Sequence, residues 1–222
     1  VKYKKELFDF WQQVQGYFRD CKDPIPTELL KFAFENLAKK DGINEADFLY
    51  SESSWQVLAN YYLTYCDESS FIDFFWSYRN LYKPLFKIAE IARSLHDVKL
   101  IHSISTGYAG ILGAGASVIH NTPFLLTEHG IYTKERKIDL IQASWIKESE
   151  QSLGKNLNTE MGFIRRMWIS FFEQIGRTTY HQADKIISLY EGNRQRQIKD
   201  GASESKASVV PNGIKTKRFV DA

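Results

Sequence analysis

The chain has 222 residues, of which 43% are hydrophobic and 25% are charged, so it can bury a core and is not expected to be disordered as a whole. The net charge of +2 gives no basis for nucleic-acid binding through bulk electrostatics. Cys21 and Cys66 lack metal-ligand spacing to histidine, so we expect reduced cytoplasmic thiols and no disulfide framework or structural metal. We expect neither a membrane-spanning helix nor a signal peptide.

Residues 1–96 are predicted to form a helical segment. The first helix has apolar residues at 3.6-residue spacing, namely Leu7, Phe8, Trp11, Val14 and Phe18. Further helices are predicted at 27–39, 54–66 and 70–95, and Pro84 is expected to kink or split the last of them. No strand is predicted before residue 97.

Residues 97–213 are predicted to alternate between strands and helices. The predicted strands are 98–104, 123–127, 185–190 and 207–210, and the predicted helices are 108–119, 134–146, 160–182 and 193–199. Residues 149–159 are predicted to be a polar surface loop. This alternation predicts the α/β class, with a Rossmann-like parallel sheet preceded by a large helical segment.

Polar clusters follow the first two predicted strands, where the ligand crevice of an open parallel sheet lies. The turn Ser105-Thr106-Gly107 offers hydroxyls and helix amino-terminal N–H groups that suit sugar hydroxyls or phosphate. The glycine spacing that follows does not fit a dinucleotide fingerprint. We expect a small face for close helix–sheet packing instead, made of Gly110, Gly113, Ala114 and Ser117. A dinucleotide-dependent oxidoreductase remains an alternative, because Glu128 lies where its ribose-binding acid would be.

His129 is the sharpest candidate for a functional side chain, because it ends a predicted strand beside Gly130, which allows close approach of a ligand. Its imidazole could bind a substrate hydroxyl or, when charged, stabilise a leaving diphosphate. A structural role stays open. We expect His102 to face the core, and the other histidines, His96, His120 and His181, to be structural or on the surface.

Two further patterns each have a structural and a functional interpretation. Lys134 to Lys137 are predicted to be a solvated helix start, although basic groups near His129 would suit an anionic ligand. The apolar stripe of helix 160–182 is predicted to pack on the sheet, with a membrane-surface helix as the alternative. Because catalytic triads, zinc motifs and P-loops are absent from the sequence, its residues predict a polar cleft that is compatible with a sugar or nucleotide, but name no reaction.

Four runs of the sequence resemble the amino-terminal domain of the PelF-like glycosyltransferases of retaining family 4. They are His102–Gly110, Leu126–Arg136, Leu189–Gln197, and Val210–Ile214 with Arg218 and Phe219. The resemblance covers about residues 80–219, and residues 1–79 match only in character. It implies half of a GT-B enzyme, in which two Rossmann-like domains face a cleft.

The resemblance also implies an activity. Such enzymes are cytoplasmic and transfer a sugar from a UDP-sugar, here UDP-glucose or a related one, to a growing exopolysaccharide with retention, without a metal or other cofactor. It implies that His129 is the catalytic histidine that reaches the donor sugar. The implied substrate-binding residues are Ser105, Thr106, Gly107, Tyr108, Glu128, Gly130, Arg136 and Asn212.

The implied partners are the UDP-sugar, the glycan acceptor and polysaccharide-synthesis proteins of the inner membrane, to which the chain could be peripheral. The sequence lacks the family's first strand and glycine-rich donor loop, and residues 214–222 would begin the crossing to a carboxy-terminal donor domain. We therefore expect a piece of a longer enzyme that neither binds UDP tightly nor transfers sugar by itself. The alternative is a non-catalytic binding or regulatory module of a polysaccharide-synthesis complex.

Overall fold

The computed structural model describes residues 2–19, 22–66, 69–146 and 161–213, and within them helices precede an α/β unit. The helices are α1 (Lys2–Arg19), α2 (Thr27–Asn36), α3 (Glu45–Tyr50), α4 (Glu52–Tyr65), α5 (Phe71–Ser94), α6 (Gly107–His120), α7 (Tyr132–Gln142), α8 (Phe163–Gln182) and α9 (Glu191–Lys199). The strands are β1 (Ile101–Ser103), β2 (Phe124–Glu128), β3 (Lys185–Ser188) and β4 (Ala207–Val209). The predicted loop at 149–159 and the predicted crossing at 214–222 lie outside the described residues.

The four strands form one parallel sheet in the order β1-β2-β3-β4, so the predicted α/β class is confirmed. Ser103, Leu126, Ile186 and Ala207 pair across the sheet in one row, and all four are buried. Because side chains alternate between the faces of a strand, this row marks the face that packs against the helices.

The opposite face of the sheet is poorly covered by the described residues. Leu125 and Ile187, at its centre, are only half-buried, and Lys185 and Ser208 are exposed. Crossovers between neighbouring parallel strands share one hand. A sheet whose strands follow one another in chain order therefore carries its connecting helices on one side, which accounts for the difference between the two faces.

The helical segment shares its core with the α/β unit. Phe18 of α1 and Tyr82 of α5 both contact the ring of Phe171 in α8, with centroid distances of 4.8 and 5.7 Å. Helices α2 and α5 pack on α6, and α1 packs on α8. The helical segment therefore forms a layer over the helices that flank the sheet.

Glycines let α6 lie close to its neighbours. A Cβ on Gly113 would come within 2.6 Å of the Phe124 ring in β2, and one on Gly110 within 2.8 Å of Thr179 in α8. The predicted close packing on the sheet is therefore confirmed at Gly113, whereas Gly110 packs on α8. Gly115 serves α2 in the same way, because a Cβ there would lie 2.0 Å from the Phe34 ring.

Several elements differ from the sequence prediction. Helix α3 was not predicted; it starts at a capping box in which Asn44 and Asp47 each bond the other's backbone N–H. Pro84 was predicted to kink or split α5; the helix continues through it, so it is not split. Strand β1 has only three residues.

The apolar stripe of α8 is buried, but its principal neighbours are helices α6, α7 and α1 rather than the sheet. Because the stripe is buried, it cannot contact a membrane surface in this structure. Within the described ranges, no helix is both long and apolar enough to cross a bilayer.

Candidate functional site at the carboxyl ends of the strands

Four short segments follow the carboxyl ends of the strands and form one edge of the sheet. They are Ile104–Thr106, His129–Ile131, Leu189–Tyr190 and Val210–Gly213. Glu128 pairs with Ser188, so the segments after β2 and β3 leave the sheet from neighbouring positions. This edge is where a ligand crevice is expected in an open parallel sheet.

Glu128 lies directly beneath this edge and is 0% exposed. Its Oε1 accepts a hydrogen bond of 3.0 Å from Thr106 Oγ1, while its Oε2 accepts bonds of 2.7 Å from the Tyr180 hydroxyl and 3.0 Å from Gln197 Nε2. One carboxylate thus joins the turn after β1, the end of β2, α8 and α9.

Burial raises the pKa of Glu128 above its ordinary value, although the hydrogen bonds from Gln197, Tyr180 and Thr106 act to lower it. Burial also raises the pKa of Tyr180 well above its ordinary value, and the neighbouring Glu128 carboxylate adds to this effect. Both Glu128 oxygens are taken by protein donors and neither reaches solvent. Glu128 therefore cannot touch a ribose hydroxyl in this conformation, and the oxidoreductase alternative loses its basis.

The turn after β1 directs its polar groups into the protein. The Thr106 side chain is 1% exposed and bonds Glu128 instead of capping α6, and the Ser105 hydroxyl donates to the Thr106 carbonyl at 2.9 Å. Gly107 has φ of +72°, and a Cβ there would lie 2.4 Å from the Tyr132 ring, so both its conformation and its neighbour require glycine. Of the polar side chains of this turn, that of Ser105 is partly exposed and that of Thr106 is buried.

His129 is exposed, and its imidazole makes no hydrogen bond with the described residues. Its backbone carbonyl accepts a hydrogen bond of 2.9 Å from Nδ2 of Asn193, which is 6% exposed. Glu135 Oε1 lies close over Gly130, where a Cβ would come within 2.2 Å of it. The backbone of His129 is therefore held while its side chain faces solvent.

Asn193 connects two of the edge segments and was not among the predicted site residues. Its side chain bonds the His129 carbonyl, and its backbone N–H donates to the Tyr190 carbonyl at 3.1 Å. Tyr190 itself is 57% exposed and was also not predicted. Its position directly after a predicted strand, like that of His129, is the sequence signal that could have identified it.

The predicted residues Tyr108 and Arg136 lie behind the edge rather than on it. The Tyr108 ring contacts Phe172 at 5.4 Å, and burial raises the pKa of Tyr108 to about 12. The Arg136 guanidinium stacks over the same Phe172 ring at 4.9 Å. Lys134, also at the start of α7, is exposed, whereas Lys137 pairs with Glu173 at 2.8 Å. The predicted solvated helix start therefore holds for Lys134 but not for every residue from 134 to 137.

The prediction that His102 faces the core is wrong. The side chain is exposed, and its Nε2 lies 2.9 Å from Thr127 Oγ1 on the neighbouring strand. Both residues lie on the poorly covered face of the sheet. Asn212 is exposed after β4 and makes no hydrogen bond within the described part of the chain.

Within the described residues, no group of three or more His, Cys, Asp or Glu side chains could hold a metal ion. A cavity of about 600 Å³ lies between α1, α8 and the end of α9, and none of its lining residues belongs to the four edge segments. Its lining mixes basic and acidic side chains with Phe18, Pro24, Ser170 and Gly201; the charged members are Arg19, Lys22, Arg177, Lys199, Asp23, Glu173 and Asp200.

One family model, described as "Domain of unknown function (DUF3492)", matches residues 2–205. This domain is found in glycosyltransferase-like proteins. No curated protein matches the chain at a significant level. The matched range covers the helical segment as well as the sheet, whereas the resemblance in the sequence motifs begins only at about residue 80. The chain belongs to the DUF3492 family.

Proposed function

We propose that this chain is the acceptor-side domain of a retaining glycosyltransferase similar to the PelF-like enzymes. The enzyme transfers a sugar from a UDP-sugar, with UDP-glucose as the first candidate, to a growing exopolysaccharide. It is cytoplasmic and works beside inner-membrane polysaccharide-synthesis proteins. As in the enzymes that the sequence resembles, the donor nucleotide is bound largely by a second Rossmann-like domain.

The observation that carries this proposal is the exposed His129 at the carboxyl end of β2, with its carbonyl held by Asn193. A fixed backbone with a free imidazole suits a group that must meet a substrate from solvent. The membership in a family of domains found in glycosyltransferase-like proteins supports the same class of reaction.

In this reaction His129 binds the donor sugar. A neutral imidazole donates or accepts a hydrogen bond with a sugar hydroxyl, and a protonated one stabilises the negative charge that develops on the leaving diphosphate. Ser105 is the partly exposed hydroxyl of the turn after β1 and contributes a second polar contact. Thr106 and Glu128 act from beneath, by fixing the turn and the end of β2.

The test compares His129→Ala with His181→Ala in the full-length natural polypeptide, by measuring release of UDP from UDP-glucose and other UDP-sugars with an oligosaccharide acceptor. We expect His129→Ala to lower kcat by about 100-fold or more, with little change in Tm because the side chain is exposed. His181 is the matched control, since it is an exposed histidine at the opposite end of the sheet, where α8 precedes β3.

Two results would contradict the assignment. Full activity after His129→Ala would remove His129 from the site, and a large loss of Tm together with activity would make it a structural residue. No transfer from any UDP-sugar by the full-length polypeptide would refute the proposed reaction itself.

A second function is favoured by an aromatic surface on α4 and α5. Trp55, Ile72 and Trp76 are 48%, 66% and 58% exposed, and the Trp55 ring contacts Phe71 at 5.8 Å. Contiguous exposed apolar groups of this kind mark interaction surfaces. A non-catalytic module would dock to a partner in a polysaccharide-synthesis complex through this surface, and Trp55→Ser with Trp76→Ser would abolish its capture of that partner without unfolding the chain.

A further inference from the structure

We propose that Tyr190 is a binding residue for the glycan acceptor, against whose ring one pyranose unit of the acceptor stacks. This inference rests on the proposed function. It assigns the acceptor to the segment after β3, one strand away from His129.

The sheet register places Tyr190 beside the candidate catalytic residue. Glu128 and Ser188 are paired, and His129 and Tyr190 follow them by one and two residues. Adjacent strands lie about 4.8 Å apart, so the two segments leave the sheet side by side. The backbones of His129 and Tyr190 therefore lie close together at this edge, and Asn193 bonds the carbonyls of both.

The Tyr190 ring has one supported side and one open side. A Cβ on Gly192 would lie only 3.0 Å from Tyr190 Cε2, so the ring rests against the backbone of Gly192 and requires a glycine there. With 57% of the residue exposed, the ring makes no contribution to the core that would account for it. The arrangement is that of a supported aromatic platform facing solvent.

The backbone beneath this platform is fixed. The Tyr190 carbonyl accepts hydrogen bonds from the N–H groups of Asn193 at 3.1 Å and Arg194 at 3.3 Å. The Arg194 side chain in turn bonds the Ala207 carbonyl of β4 at 3.1 Å. Because Asn193 also holds the His129 carbonyl, the platform and the histidine belong to one rigid edge.

The chemistry of an aromatic ring with a phenol group suits a carbohydrate. The negative face of the ring attracts the C–H face of a pyranose, and the hydroxyl can donate to or accept from a sugar hydroxyl. A neutral sugar needs no charge from the site, and the Tyr190 ring offers none. A nucleoside base could stack on the same ring, so the experiment includes one.

The test is a calorimetric titration of the 222-residue chain, which gives the Kd of every variant, together with NMR of the tyrosine rings, which locates the binding in the wild-type chain. The probes are maltotetraose, cellotetraose, chitotetraose, galactotetraose and uridine, and the Tyr190→Phe variant assigns the Tyr190 signal. The variants are Tyr190→Ala, Tyr190→Phe and Gly192→Ala. Tyr50→Ala is the matched control, because Tyr50 is 82% exposed at the end of α3.

We expect at least one tetrasaccharide to shift the Tyr190 signal. Tyr190→Ala should weaken its Kd by about tenfold, equivalent to about 1.4 kcal/mol, while Tyr190→Phe and Tyr50→Ala stay within about twofold. Gly192→Ala should weaken binding as well, because it displaces the ring. An unchanged Kd in Tyr190→Ala, no binding of any tetrasaccharide, or binding of uridine alone would each overturn the proposal.

Kinetics of the full-length polypeptide separate this proposal from the proposed function. If Tyr190 binds the acceptor, Tyr190→Ala raises the acceptor KM and leaves the donor KM unchanged. Transfer that depends on His129 but shows no change in acceptor KM would refute the role of Tyr190 and leave the reaction standing. Binding of a tetrasaccharide through Tyr190 without any transfer would refute the reaction and leave the carbohydrate site.

Discussion

Replacing Glu128 with alanine removes the one acceptor that three buried donors share. The hydroxyls of Thr106 and Tyr180 and the amide of Gln197 all point at this carboxylate, and each of these residues is at most 1% exposed. In Glu128→Ala none of the three donors has its partner, and water can reach them only through a rearranged core. We expect the variant to be strongly destabilised.

The magnitude follows from the number of donors. A buried donor left without a partner costs about 1 to 3 kcal/mol, and rotation of the hydroxyls recovers part of that cost. For three donors and the lost side-chain volume, we expect the free energy of unfolding to fall by about 3 to 5 kcal/mol. Tyr180→Phe removes one donor and leaves two on the carboxylate, so its expected cost is about 1 to 2 kcal/mol.

Glu128→Gln keeps the side-chain volume but cannot ionise, so it tests whether the Glu128 carboxyl is protonated in the native chain. The Thr106 and Tyr180 hydroxyls can turn to accept from the new amide, and Gln197 Oε1 is buried and has no partner within the described residues. Because burial raises the pKa of Glu128 above 4.5, the native chain holds the proton at a pH where the unfolded chain has lost it. Wild-type stability therefore falls as pH rises from about 4.5 through the raised pKa, and the cost of Glu128→Gln shrinks over that range.

The assay is urea unfolding followed by circular dichroism at pH 5, 6, 7 and 8, with wild type and both Glu128 variants measured together. Other groups titrate alike in all three proteins, so the difference between curves isolates Glu128. A cost of Glu128→Ala below about 0.5 kcal/mol would refute the shared-acceptor network. A cost of Glu128→Gln that grows with pH would contradict the raised pKa.

Three further predictions concern a glycine contact in α6, a buried arginine in α8 and the binding of UDP. Gly115→Ala should cost about 1 to 3 kcal/mol in urea unfolding, because its Cβ would meet a ring of α2, whereas Gly16→Ala, with nothing within 4 Å of its Cβ, should be neutral or stabilising. Arg165, 8% exposed, donates to four carbonyls between Leu140 and Ile146; Arg165→Met should lower stability by about 2 to 4 kcal/mol, and exposed Arg166→Met by far less. The 222-residue chain alone should show no tight UDP binding by calorimetry and no UDP-sugar turnover, and measurable turnover would contradict the proposal that a second domain binds the donor.

Much of the fold could be predicted because its signals are local. Alternation of apolar runs with helical periodicity predicts the α/β class, and the apolar stripe of α8 predicts its burial. The capped six-residue helix α3 was missed because it is too short to show a helical period. Pro84 was predicted to kink or split α5 because proline lacks an N–H, but the helix runs from Phe71 to Ser94 without a break.

The candidate site could be predicted only in part, because its geometry depends on contacts between residues that are far apart in the sequence. The burial of Glu128 could have been read from the strand alone, because Phe124, Leu126 and Glu128 alternate onto one face. The bond from Asn193 to His129 joins residues 64 positions apart and leaves no local pattern. The sheet order, which leaves His102 exposed, likewise cannot be obtained from the separate strands.

The exposed side chains of the edge depend on a polar layer that is buried beneath them. His129 and Tyr190 contribute little to the core, so burial in the core does not hold them where a substrate would meet them. Asn193 fixes their two carbonyl-bearing segments to each other, and Glu128 fixes the end of β2 to the elements around it. Because these buried groups set the positions of the exposed ones, a change at Glu128 should alter ligand contact at His129 even though the carboxylate is inaccessible. The polar and aromatic residues of this edge therefore divide into two sets. One set reaches solvent, and the other is buried and positions the first.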